Sequence, residues 1–398
     1  MNFDWDEDDT AFRARLRSYL DESLPAWWTN MWTDDDRVPE FTRGFARQLA
    51  AKGWLTLSWP VQYGGAGAGV WTQTVLREEM WSHGEPRGPQ YMSLNFIGPM
   101  IMRYGTDEQR ERFLPPMARG EVVWCQGFSE PTAGSDLASM RTRADEDGDG
   151  FVVNGGKIWT SYADYPADWC LLIARTNPET SDQTGLSVFL LDMKSAGVTV
   201  RPIRSMAGPR DINEVLLHDV FIPRDCLLGA KNRGWSLVEA GLTFERTGVA
   251  RYARVSELLR ELIEYAKSTT IDGQRLSDDP YIRDQLAGLH CRAEAAQLLN
   301  YRVISLQESG AVPTVEAAIS RVHNALLEQD IGHFGLEMLG RMGALAQPDP
   351  DAPLDGALQR QWVRNIPASI VAGSVEVQKN IIARRGLGLP SSRRRVPK

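Results

Sequence analysis

The spacing of apolar residues changes twice along the chain, and this double switch narrows the folds open to it. In residues 1–123, Phe12, Leu16 and Leu20, and again Phe41, Phe45 and Leu49, recur every three or four positions, which is the spacing of one helix face. Gly53 follows as a stop signal. Residues 124–233 carry short strand-like runs instead: Phe151-Val-Val153, Trp169–Ala174, Leu186–Leu191 and Val198–Val200. Asp147–Gly150 and Asn154–Gly156 read as turns between them. No long helical pattern intervenes, so the strands are expected to be antiparallel, in a small barrel or sandwich. Helical spacing returns over about 234–267, 280–309, 313–340 and 356–385, with Pro280 and Pro313 where helix starts would place them. Long helices with short links predict an antiparallel four-helix bundle. The expected fold class is α+β multidomain: an N-terminal α-helical domain (1–123), a middle β domain (124–233) and a C-terminal bundle (234–398).

Charge and cysteine usage remove several function classes. A chain of 398 residues with a net charge of −8 is a poor match for nucleic acid or an anionic membrane. The basic stretch Ser391–Lys398 reads as a solvated tail. The first nine residues are acidic, with no basic n-region and no apolar h-region, so neither a secretory signal nor a transit peptide is expected. No apolar run is long enough to span a bilayer. The four cysteines form no C-x-x-C, and the five histidines no H-x-x-x-H. A reduced, cytoplasmic setting is expected, with no disulfide framework and no metal site.

The stretch Trp124-Cys-Gln-Gly-Phe-Ser-Glu-Pro-Thr-Ala-Gly-Ser-Asp136 is dense in small and hydroxyl-bearing residues. Gly127 and Gly134 let backbone N–H groups approach a flat polar ligand. Ser129, Thr132 and Ser135 add rotatable donors and acceptors. A second run, Gly156-Lys-Ile-Trp-Thr-Ser161, follows an apolar strand. The glycine-rich Trp59–Gly69 has no Gly-Lys-Ser/Thr ending and no strand before it, so it reads as a turn between helices rather than a phosphate loop. Thr106, with acids behind it in Tyr104–Arg110, reads as a helix N-cap.

The two runs at 124–136 and 156–161 closely resemble the flavin-binding signatures of the acyl-CoA dehydrogenase family, and the resemblance extends over nearly the whole chain. The Pro-x-x-Tyr-Gly-Gly loop, the Gly-Thr-x-Glu-Gln helix start and Asp219–Pro223 are also similar to family segments. The resemblance implies FAD as cofactor. It places Gln126, Phe128, Ser129, Gly134 and Ser135 along the flavin, with Ser135 also near CoA. Trp159 would pack against the ring, with Thr160 and Ser161 beside its reactive edge. It further implies contacts to FAD from Gly340, Arg341, Ser374 and Glu376. The activity implied is α,β-dehydrogenation of an acyl-CoA to its trans-2-enoyl-CoA, the β-hydride passing to flavin N5. An electron-transfer flavoprotein would be the acceptor, and the protein a homo-oligomer (dimer or tetramer) or a pair of unlike subunits.

The expected base departs from the common pattern. Many members carry Tyr-Glu-Gly-Thr in a late loop, where the glutamate is the base; here the stretch is Val371-Ala-Gly-Ser374. Ala372 cannot take a proton. Its N–H can still bond the thioester carbonyl, with Gly373 beside it. A second carboxylate is available in Gly241-Leu-Thr-Phe-Glu-Arg246, where Leu242, Glu245, Val249 and Tyr252 share one helix face. A carboxylate on an apolar stripe is expensive to bury without a purpose, and burial would raise its pKa toward that of a useful base. One branch of the family has its base at the corresponding position, so Glu245 is the expected base and Arg246 a CoA contact. A salt bridge from Glu245 to Arg246 or Arg251 is the plain alternative.

Two further departures bear on the cofactor. Arg-x-x-Phe-Gly is missing and Thr269–Gly273 stands there, with Arg275 as a possible substitute. Gly-Gly-x-Gly is Gly340-Arg-Met-Gly343, where Arg341 would meet a pyrophosphate or crowd it out. Two other functions stay open: a partner subunit with reduced catalysis, and a flavin oxidase or monooxygenase on the same fold.

Overall fold

The computed structural model describes residues 5–33, 35–165, 167–207, 212–245, 249–346 and 349–390, and within them every side chain except those of residues 242–245 and 250. The chain divides into two compact units: residues 1–76 with 83–245, and residues 77–82 with 246–398.

The first unit opens with α1 (Glu7–Ser23), α2 (Val38–Ala51), α3 (Val70–Ser82), α4 (Gln90–Met92), α5 (Gly98–Tyr104) and α6 (Asp107–Ala118). The last turns of α3 count with the second unit. Phe12, Leu16, Leu20, Phe45 and Leu49 are buried, as an apolar stripe on one helix face requires. Thr106 caps α6 through a capping box: its hydroxyl accepts from the Gln109 N–H at 3.2 Å, and Gln109 Oε1 accepts from the Thr106 N–H at 3.1 Å. Within Trp59–Gly69, a Cβ on Gly65 would lie 2.0 Å from the Trp59 carbonyl oxygen. That glycine is there for a tight turn.

The strands are β1 (Trp124–Gly127), β2 (Arg143–Asp147), β3 (Gly150–Ser161), β4 (Trp169–Arg175), β5 (Leu186–Asp192), β6 (Val198–Ile203), β7 (Ile212–Pro223) and β8 (Leu227–Leu228). They form one sheet in the order β6-β7-β3-β2-β4-β5-β8, with β1 attached to β4. Most pairings are antiparallel. However, β1 runs parallel to β4, with Gln126 opposite Leu171, and β2 meets β4 in parallel at Arg143 and Arg175. The largely apolar strands β4 and β5 are buried on both faces. Helix α7 (Gly234–Glu245) completes the unit, packed so close to α5 that a Cβ on Gly241 would lie 2.2 Å from Met100 Sδ.

The second unit holds α8 (Val249–Ser268), the hairpin β9 (Thr270–Ile271) and β10 (Gln274–Arg275), then α9 (Pro280–Glu308), α10 (Thr314–Leu339), α11 (Ala357–Asn365) and α12 (Val375–Ile381). Helices α8, α9, α11 and α12 all pack on α10. The fourth helical segment is broken between α11 and α12, where a 3₁₀ turn over Ile366–Ser369 contains Pro367 and the backbone turns left-handed at Ala372 (φ 55°) and Gly373 (φ 86°). The order helical, β, helical is the one expected. Among the described residues no helix is long and apolar enough to cross a membrane.

Candidate active site

The Gly/Ser-rich stretch leaves β1 as a loop clamped to β3. The Ser129 carbonyl accepts the Ile158 N–H at 2.8 Å, and Glu130 and Ala133 exchange both backbone bonds at 3.0 Å. A Cβ on Gly127 would lie 2.9 Å from Cys170 Sγ and 3.1 Å from Leu172 Cδ1, so only glycine fits against β4. Gly134 has open space where its Cβ would be, and both it and Ser135 are exposed. Phe128 is half-buried, edge-on to Phe96 at 6.1 Å between ring centroids.

The loop is held from beneath by a buried ion pair that sequence reasoning did not assign a role. Lys157 Nζ donates to Glu130 Oε1 at 2.8 Å and to the Phe128 carbonyl at 3.2 Å, and the lysine is 0% exposed. Glu130 also accepts the Arg141 and Thr142 N–H groups at 2.6 and 2.9 Å. Burial pushes the Lys157 ammonium below its ordinary pKa against the pull of Glu130. Burial alone would raise Glu130, but Lys157 and the amides hold it below the ordinary carboxylate value. The signal in the sequence was a lysine, the one charged residue of Gly156–Ser161, with Glu130 inside the other motif.

Strand β3 bulges where the second motif lies. Lys157 pairs with Val215 and Thr160 with Asn213, so Ile158 and Trp159 together face Glu214. Trp159 takes φ 59°, an unfavourable region for a bulky side chain, and its indole is 56% exposed. Asn213 Nδ2 donates to the Thr160 carbonyl at 3.0 Å. Thr160 Oγ1, Asn213 Oδ1 and Gln126 Nε2 are buried with no partner among the described residues. Ser161 is half-buried. A flat exposed indole, small residues and spare buried polar atoms suit a flat heteroaromatic ring with carbonyl and N–H edges, and so fit the isoalloxazine.

The other residues singled out in the sequence, Glu245 apart, lie in the second unit. Gly340 (φ 56°) and exposed Arg341 open a 3₁₀ turn over Gly340–Ala344. Ala372 and Gly373 form an exposed left-handed pair, and a Cβ on Gly373 would lie 2.5 Å from Gln378 Nε2. Ser374 caps α12, its hydroxyl accepting the Val377 N–H at 3.3 Å, and Glu376 is exposed in the first turn. The segment Thr269–Gly273 runs through β9 into a two-residue hairpin turn, Asp272-Gly273, with both residues at positive φ, and Arg275 is exposed on β10. Glu245 is the last residue of α7; its side chain, and all of Arg246, lie outside the described residues. Tyr252 donates to a further buried carboxylate, Glu78, which also accepts from the Tyr301 hydroxyl at 2.8 Å.

The acyl-CoA dehydrogenase N-terminal, middle and C-terminal domain models match residues 6–121, 125–220 and 232–387. Site and models together define a flavin-dependent oxidoreductase. Acyl-CoA dehydrogenase FadE26 of Mycobacterium tuberculosis is 37% identical over 355 residues, 87% of this chain and 88% of the relative. Acyl-CoA dehydrogenase IpdE1 of the same organism is 33% identical over 392 residues, 96% of this chain and 98% of the relative. Among solved structures, the ChsE4-ChsE5 complex from Mycobacterium tuberculosis has a TM-score of 0.88 at 35% identity, covering 98% of this chain and 100% of that one. The Tcur3481-Tcur3483 steroid ACAD has a TM-score of 0.89 at 29% identity, with coverage of 98% and 100%. The chain belongs to the acyl-CoA dehydrogenase family, and FAD is its cofactor.

Proposed function

We propose that this chain desaturates an acyl-CoA thioester between Cα and Cβ, with Glu245 as the base that takes the α-proton. The observation that carries the proposal is the bulged edge of β3: an exposed Trp159 indole, with Thr160 Oγ1 and Gln126 Nε2 buried and unpartnered. Those residues, with Phe128, Ser129, Gly134, Ser135 and Ser161, hold the flavin ring, and Gly340, Arg341, Ser374 and Glu376 supply further contacts. Bound FAD supplies the acceptor for the β-hydrogen. The backbone N–H of Ala372 holds the thioester carbonyl as it gains enolate character, a role that needs no side chain. Arg246 and Ser135 hold the CoA portion.

Similarity to a protein described as a steroid ACAD supports a bulky acyl group. Relatives solved as complexes of two differently named chains support an unlike partner subunit. An electron-transfer flavoprotein is the proposed acceptor. Glu245→Gln should bind acyl-CoA yet fail to bleach the flavin anaerobically; normal bleaching would remove Glu245 from the mechanism. Ala372 favours a second reading, a chain of reduced activity that supports an active unlike subunit. In that case the unaltered chain bleaches with no acyl-CoA, while Glu245→Gln in the two-chain complex leaves turnover intact.

A further inference from the structure

We propose that Arg321 aims the Ala372 N–H and so acts as a positioning residue for the thioester carbonyl; the inference rests on that amide being the carbonyl's donor. Arg321 lies on α10, and its Nη2 donates to the Ala368 carbonyl at 2.7 Å and to the Val371 carbonyl. The peptide joining Val371 to Ala372 is a rigid plane in which C=O and N–H point in opposite directions. Holding the Val371 oxygen therefore fixes where the Ala372 N–H points. A cation on that oxygen also polarises the peptide and strengthens its N–H as a donor.

The loop has few other constraints. Ile370 and Val371 are 64% and 49% exposed, so side-chain packing does little to hold them. Their N–H groups both donate to the Pro367 carbonyl, at 2.8 and 3.0 Å, which leaves the Val371 carbonyl to Arg321. Ala372 carries a methyl at φ 55°, a conformation that relaxes unless something maintains it. Arg321 itself is poorly served by its position. Its Nε and Nη1 are buried without a partner among the described residues, and burial with Arg251 nearby pushes its pKa down to about 9. It is still a cation at neutral pH. A half-satisfied buried cation adds little to stability, so the contact to the loop is what its placement achieves.

The test compares crystal structures, melting temperatures and steady-state kinetics of the FAD-loaded protein with those of Arg321→Met and Arg321→Lys, using whichever acyl-CoA bleaches the unaltered chain. Arg321→Met should rotate the Val371–Ala372 peptide, keep or raise the melting temperature, and lower kcat by roughly 10- to 100-fold with a smaller change in KM. Arg321→Lys should keep the peptide in place and recover most of the rate. A peptide that stays put in Arg321→Met overturns the proposal, as does a rate loss that follows the melting temperature. If Arg321→Met does not fold, Arg321→Lys with a rotated peptide and an unchanged rate overturns it equally. An unaltered chain that no acyl-CoA bleaches would sink the dehydrogenase reading instead, and the peptide orientation would still be read from the structures.

Discussion

Trp159 sits at φ 59° with its indole 56% exposed, a conformation that glycine adopts freely and tryptophan does not. Its backbone strain and its exposure both argue that the ring is there for a ligand. Trp159→Gly should leave the cofactor-free protein as stable or more so by about 1 kcal/mol, while FAD dissociates faster. Unchanged FAD retention, followed by flavin fluorescence, would count against the assignment. The Lys157–Glu130 pair behaves in the opposite way. Glu130→Gln leaves a buried ammonium unpaired, so a loss on the order of 3 kcal/mol is expected in urea unfolding. The pH dependence follows from Glu130, whose folded pKa is held below its ordinary value. Its contribution is complete above the unfolded value of about 4.3 and is lost as pH falls through the lower folded value. Acid should therefore destabilise the unaltered protein more than Glu130→Gln. Equal acid sensitivity in both would show that the pair does not carry this term. Trp159 could be picked out in the sequence by its motif, but its bulge could not, because a bulge depends on the register with β7, which no local pattern records.

At the scale of elements, local signals carried far. The stripes of α1 and α2 and the cap of α6 were legible because each is a contact within one segment. The parallel attachment of β1 was not, since nothing in Trp124–Gly127 names β4 as its neighbour. The break between α11 and α12 was also missed, although Pro367 and Gly373 mark it. The hairpin at Asp272-Gly273 has a turn signal in the sequence that was not read. The polar contact joining α3, α8 and α9 was invisible, because Glu78 meets Tyr252 and Tyr301 only after folding. Tyr301→Phe removes one donor from a buried carboxylate and should cost about 1–3 kcal/mol in denaturant unfolding. A change within a few tenths of a kcal/mol would mean Tyr301 adds little there.

For the molecule as a whole, cofactor occupancy is the quantity to measure. Where the resemblance places the family's Arg-x-x-Phe-Gly, the chain has a hairpin with an exposed Arg275. Little FAD in the chain purified alone, counted from its absorbance spectrum, that fills when an unlike family subunit is supplied would show that a partner completes the site. Full occupancy alone would show that the site is self-sufficient. The attachment of β1 also has a consequence for timing. Gln126 is opposite Leu171, and β1 has no other strand partner among the described residues. As the chain leaves the ribosome, β1, the root of the flavin loop, has no strand partner until β4 has emerged, and pairing so distant in sequence forms late. Nascent chains halted before Trp169 should therefore be unable to capture the cofactor, which makes flavin binding one of the later events in the life of a newly made molecule.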